Sequence, residues 1–474
     1  MKRQEILTRF GIVAGLAFLL PSCGSEEKGM EKMNYPETAT VDQKDVYFGD
    51  TVADPYRRLE DDRSAETEDW VKRQNAFTFD FLKQIPYRDS LRKRLESLYN
   101  YERVGAPFKE GNSEYYFKND GLQNQSVMYR INKEGEDEVF FDPNALSNDG
   151  TVSLSGLEFS EDGSKMAYSI SRGGADWQEI YVMDVASKSL LADKVMDVKF
   201  SGTEWKGNDG FFYSTYQDQG GSKLSAKTQN HKLFYHKLGT DAKDDVLVFG
   251  DDANPRRYVG SSVSSDGHYL IIQAAMTTTG NQVYVVDLTK PGFQAIPVVE
   301  NFDNDHDFIF GKGDKLYFLT TLNAPNRRLV EVDVNQPGTE HWKDIIAETK
   351  NVLSVSKGAG YFFATYQKDV LSQVLQYTYS GELVREVTLP GQGSVGGFGG
   401  KEEATTLYYT FTSYIYPSTV FSYDPATGES KLYRQPKIDF DPTQYESKQV
   451  FYTSKDGTKI PMMITHKKGI ELNG

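Results

Sequence analysis

The chain has almost no cysteine: Cys23 is the one such residue in 474, so no disulfide can form within it. Histidine is nearly as scarce. His231, His236, His268, His306, His341 and His466 are scattered without zinc spacing, and no metal site or cofactor is expected. Asn304-Asp305-His306-Asp307 is the nearest thing to a ligand set, and it reads as an acidic loop. Basic clusters are missing too. With 53 Lys and Arg against 68 Asp and Glu, the formal charge is −15, which argues against nucleic acid as a partner, because phosphate binding needs a concentrated basic face. No Gly-x-Ser-x-Gly nucleophile elbow occurs: Gly220-Gly221-Ser222 runs on into Lys223-Leu224, and Ser394 lacks the first glycine.

The longest apolar run is too short to span a bilayer. It covers Ile12 to Leu20, after Lys2, Arg3 and Arg9, and is followed by Pro21-Ser22-Cys23, the pattern of an export signal ending at a lipoprotein cleavage site. The expectation is a signal peptide over 1–23, acylation of Cys23 and a polar tether over 24–34. Anchored by that lipid, the protein would sit in the periplasm or on a bacterial membrane.

What the chain has in abundance is aromatic residues and glycine: 30 Tyr, 28 Phe and 41 Gly, the composition of many short strands joined by tight turns. Two amphipathic helices come first, within 64–99, with Trp70, Phe77 and Phe81 on one face and Leu91, Leu95 and Leu98 after Pro86. From about Tyr115 an apolar strand closing on a polar residue recurs. Its copies end at Asn132, Asp184, His236, Asp287, Asp333, Tyr379 and Asp424, spaced 52, 52, 51, 46, 46 and 45 residues apart. That period suits a four-stranded blade, and seven of them predict a mainly β fold, a seven-bladed β-propeller over 105–434. Ser160-Glu161-Asp162-Gly163 and Ser264-Ser265-Asp266-Gly267 supply tight turns within it, with Asn208-Asp209-Gly210 as a looser copy. A helical segment (35–104) precedes the ring, and a linker with one hairpin (435–474) follows it.

Several ordered segments resemble the prolyl oligopeptidase family. Asp54-Pro55-Tyr56-Arg57-Arg58-Leu59-Glu60-Asp61 is similar to its entry motif, with Arg58 in place of the usual tryptophan. Gly121-Leu122-Gln123-Asn124-Gln125, Asp142-Pro143-Asn144, Asn230 to His236 and Ser454 to Met462 follow in the family's order. The resemblance implies a serine endopeptidase cutting short peptides after proline, in which an α/β-hydrolase domain built from both chain ends is capped by the propeller. It implies that 35–104 and 435–474 are parts of that domain, and that the missing C-terminal hydrolase portion, with serine, aspartate and histidine, lies beyond this chain. The catalytic set is then absent here, and the chain alone is expected to be inactive. The full-length form would be a monomer acting on short proline-containing peptides. By the same resemblance Trp177 and Phe200 are the candidate substrate-binding residues. The other reading is a non-catalytic, lipid-anchored propeller that binds a protein or glycan through loops on one face.

Overall fold

The computed structural model describes residues 33–62, 64–132, 134–216 and 228–473. The signal, the tether and Cys23 lie outside them. Two compact units divide between Pro86 and Tyr87.

In the first unit, helix α1 (Ala65–Lys83) starts where the Ser64 hydroxyl accepts the Thr67 N–H at 3.1 Å, an N-cap that satisfies one of the helix's orphan donors. A hairpin of Lys44–Tyr47 and Asp50–Ala53 precedes it. The apolar face of α1 is not left bare along its whole length. Trp70 donates its indole N–H to Thr38 Oγ1 at 2.9 Å, and Phe77 packs on Tyr35 with ring centroids 5.0 Å apart, whereas Phe81 stays exposed. Residues upstream of the hairpin, Tyr35 and Thr38, therefore cover two of the three stripe residues.

The second unit opens with helix α2 (Arg88–Tyr99), whose Leu91, Leu95 and Leu98 are exposed. Among its described residues seven antiparallel sheets of four or five strands follow, each built from consecutive strands, and after them a two-stranded hairpin of Tyr445–Thr453 and Lys459–Lys467. The second is Val152–Phe159, Lys165–Arg172, Trp177–Asp184 and Leu190–Lys199, paired in that order. The first carries a fifth strand, because Arg103–Val104 and Phe108–Glu110 both pair with Ser113–Asn119. The seventh ends at Arg434. This is the seven-bladed propeller. The repeated sequence element is the third strand of every blade, from Val127–Ile131 to Tyr416–Tyr423. Gly163 and Gly267 take φ of 72° and 73° in the expected turns. The looser copy differs: there Gly207 has the positive φ, and Gly210 lies in a strand where a Cβ would meet the His236 carbonyl oxygen at 2.1 Å. Close packing, not turn geometry, requires glycine at 210.

Stacking buries both faces of the sheets of blades two to six. Phe159 and Met166 meet Tyr115 and Met128 between blades one and two, and Phe363 and Val374 meet Phe398 and Tyr409 between six and seven. Six such clusters join successive blades. Among the described residues none joins the seventh blade to the first, and no strand pairs across that seam. It is crossed instead by Lys401, whose Nζ lies 2.8 Å from Glu110 Oε2, beside a cavity of about 770 Å³ bordered by Pro107, Phe108 and Tyr408.

Blades two and three share a polar staple. His236, fully buried, places Nδ1 2.8 Å from Asp245 Oδ1 and Nε2 3.3 Å from Asp193 Oδ1, and the Tyr213 hydroxyl donates to Asp245 Oδ2 at 2.8 Å. Burial disfavours the imidazolium, but the two carboxylates outweigh it and hold the His236 pKa above its ordinary value. A folded-state pKa above the unfolded one stabilises at low pH, and the contribution is lost as pH rises through the folded value. His236→Gln should therefore cost about 3 kcal/mol at pH 6, with two carboxylates left without their cation. Denaturant titration of both proteins from pH 6 to 9 should show the gap narrowing; a gap that widens with pH contradicts the staple.

Candidate functional site

Trp177 and Phe200 are brought to one face of the ring by strand pairing. Trp177 opens the third strand of blade two and sits opposite Lys199, the last residue of the fourth, so Phe200 follows directly. The Lys199 ammonium lies 5.2 Å from the Trp177 ring centre and 5.1 Å from that of Phe200, and 3.5 Å from Asp176. Phe200 has φ of 55°, a left-handed conformation costly for a bulky side chain, and its ring is about half exposed. That backbone turns the ring outward from the blade. Tyr216 stands edge-on to both aromatics, at 6.5 Å from Trp177 and 6.4 Å from Phe200, and Tyr258 meets Phe200 at 5.7 Å.

His231 underpins this wall. Its Nδ1 accepts the Val259 N–H at 2.9 Å, so the ring proton sits on Nε2 and is donated to the Lys199 carbonyl at 2.9 Å. Burial holds its pKa below the ordinary value and keeps the ring neutral. One imidazole thereby fastens the end of blade two to the start of blade four, fixing Phe200 against Tyr258.

An open cavity of about 370 Å³ adjoins Phe200 and Tyr258 and runs past Thr277–Asn281 to Asp305, Asp307 and Arg327. Trp177 is not among its walls. Arg327, at φ of 72°, places its guanidinium 3.2 Å from Asp307 and 3.8 Å from Asp305, while Asp305 also accepts the Gly280 N–H at 2.7 Å. Burial pushes the Asp307 carboxyl up despite that arginine. Gly280 tolerates no Cβ, which would lie 1.8 Å from the Phe302 carbonyl oxygen. The Asn281 amide brackets the His306 backbone, donating to its carbonyl at 3.1 Å and accepting its N–H at 2.8 Å. In the acidic loop 304–307, then, the carboxylates carry an arginine and the histidine turns inward. Among the described residues no three or more His, Cys, Asp or Glu side chains gather as ligands for an ion. The arrangement offers an aromatic wall, threonine hydroxyls and a guanidinium, which suits an extended polar chain with apolar side groups.

Tyr216, His231, Tyr258 and Arg327 were not singled out as site residues from the sequence. Their shared signal is position, because each lies at the same end of its blade, where strands three begin and strands four end.

Residues 36–436 match the model of the prolyl oligopeptidase N-terminal β-propeller domain. The chain belongs to the prolyl oligopeptidase family. It is 49% identical over 463 residues to a prolyl endopeptidase of Elizabethkingia meningoseptica, covering 98% of this chain and 65% of that one. It is 31% identical to a dual function macrocyclase-peptidase of Galerina marginata, over 93% of the chain and 66% of the relative. A solved structure of the Galerina prolyl oligopeptidase B, bound to a 35-residue hydrolysis and macrocyclization substrate, superposes with a TM-score of 0.81 at 30% identity, covering 92% of this chain and 66% of that one. The chain thus spans 65% of the length of its Elizabethkingia relative.

Beside this cavity His306 carries a pH liability. It is buried, Nδ1 meets the Thr320 hydroxyl at 2.9 Å, and Nε2 has no hydrogen-bond partner. Burial pushes its pKa down to about 4. A folded pKa below the unfolded value of 6.5 means that the unfolded chain takes the proton first, so stability falls as pH drops below about 6.5. Lowering pH from 7 to 5 should cost about 2 kcal/mol through this ring. Urea titrations at both pH values should show that loss shrinking in His306→Gln; an equal loss in the variant refutes the assignment.

Proposed function

We propose that this chain is the propeller-bearing part of a serine endopeptidase that cleaves short peptides after proline, and that the ring limits access to small, unfolded substrates. The identity of 49% to a prolyl endopeptidase over nearly the whole chain carries this reading. The chain supplies the gate and one wall of the substrate site, and the acyl-transfer groups come from elsewhere in the enzyme, since cleavage needs nucleophile, base and oxyanion donors together. Substrate lies along Trp177, which is partly buried, and Phe200, which is about half exposed; aromatic rings of this kind suit proline rings and apolar side groups. The working enzyme is a monomer. Cys23 bears a lipid that holds the protein to a bacterial membrane outside the cytoplasm.

Three measurements bear on the reading. Incubated with a short proline-containing peptide, the chain by itself should give no turnover above background, and turnover would refute the division of labour. It should still bind that peptide, followed by tryptophan fluorescence. Phe200→Ala should weaken binding about fivefold to tenfold with a stability change under about 1 kcal/mol, because the lost ring is half exposed; an unchanged Kd removes Phe200 from the site. For the anchor, metabolic labelling with palmitate in a bacterial host should mark the protein and fail in Cys23→Ser, and label retained by the variant would exclude Cys23.

A further inference from the structure

The ring's seam holds a second cavity, of about 660 Å³, where the chain enters the first blade and leaves the last. Tyr101 to Val104 form one side, and Ser418 with Arg434 to Lys437 form the other. Three cations border it in a protein whose formal charge is −15. Arg103 is held in place by neutral acceptors alone: Nη2 donates to Asn119 Oδ1 at 2.9 Å and to the Gly121 carbonyl at 3.0 Å, and Nη1 to the Tyr99 carbonyl at 3.3 Å. Those bonds fix the guanidinium without neutralising it. Arg434 lies over the Tyr433 ring at 4.8 Å and donates only weakly to the Tyr433 carbonyl, at 3.4 Å. Lys437 completes the set. The one carboxylate on the border, Glu102, is paired with Lys118 at 3.1 Å. Among the described residues no carboxylate lies within ion-pair distance of Arg103, Arg434 or Lys437.

Three like charges bordering one cavity repel one another, and an anion with several acceptor oxygens removes that repulsion while engaging the N–H groups that Arg103 and Arg434 do not use within the protein. We propose that this cavity is an oxyanion site for a ligand of the phosphate class, and that the bound anion ties the first blade to the last. The seam is the junction with no buried apolar cluster, so it is the junction where an added ionic tie changes most. Arg103 belongs to the first blade, and Arg434 ends the seventh; a multivalent anion between them bridges strands that share no backbone hydrogen bond. The cavity borders blades one and seven, apart from Trp177 and Phe200 at the end of blade two.

The test uses inorganic phosphate and pyrophosphate at millimolar concentration and below, where general salting effects are small. The full chain should show a saturable rise in Tm of roughly 2–5 °C, with pyrophosphate acting at lower concentration. Amide exchange should slow over 103–119 and 416–434 and not in blades three to five. Sodium chloride at matched ionic strength should not reproduce the rise, and the double variant Arg434→Gln, Lys437→Gln should abolish it. Both side chains are exposed, so the variant should fold. A shift that does not saturate, that survives in the variant, or that chloride matches overturns the site. An equal response to malonate overturns the phosphate assignment. Should the variant unfold, equilibrium dialysis of pyrophosphate against the unaltered chain decides: one saturable site supports the proposal and none refutes it.

Discussion

A twisted sheet of four short strands has two apolar faces and cannot shield either by itself. Every blade here is in that position, and the solution is circular: each sheet covers its neighbour, and the last must return to the first. Aliphatic and aromatic side chains fill six of the junctions, with methionine in the first of them. The seventh has to be closed by residues about 290 positions apart in the chain, Glu110 and Lys401, without a shared strand. A partly exposed ion pair of this kind contributes at most about 1 kcal/mol. Stability is thus distributed unevenly around the ring, and the seam is where it gives first.

That unevenness bears on the site. Trp177, Phe200, Tyr216 and Tyr258 belong to blades two to four, away from the seam. His231 and the His236 staple, together with Asn281 at the fourth blade, spend buried hydrogen bonds on junctions two to five. The same region carries the left-handed Phe200 and Arg327, conformations that persist only where surrounding structure holds them. The aromatic cluster is thus held by buried hydrogen bonds, whereas the seam is crossed by one partly exposed ion pair.

The ring itself was legible because its period is covalent: strand ends at near-constant spacing survive any uncertainty about individual strands. The family resemblance was legible for a different reason, in short ordered motifs such as Asp54 to Asp61. The helical stripe was read less well. Spacing marked Trp70 and Phe77 as apolar, but could not show that Tyr35 and Thr38 come back to cover them, since nothing periodic marks the covering segment. Gly210 was assigned to a turn by its Asp-Gly pair, while its true constraint is the His236 carbonyl of the adjoining strand.

The same distinction explains what was missed at the site. Trp177 and Phe200 came from resemblance, and their contact through Lys199 follows from a strand register that no local pattern displays. Arg327 lies some 130 residues from Phe200, and both border one cavity only because each blade turns its strands at the same height. His306 was set aside, reasonably, as part of an acidic loop; alternation inside the strand His306–Lys312 sends it inward while its acidic neighbours face the cavity. Periodicity therefore locates a propeller. Which rim residues converge is decided by blade stacking, through contacts between positions one or more blades apart, and that information is carried by side-chain shape and pairing rather than by any run of sequence.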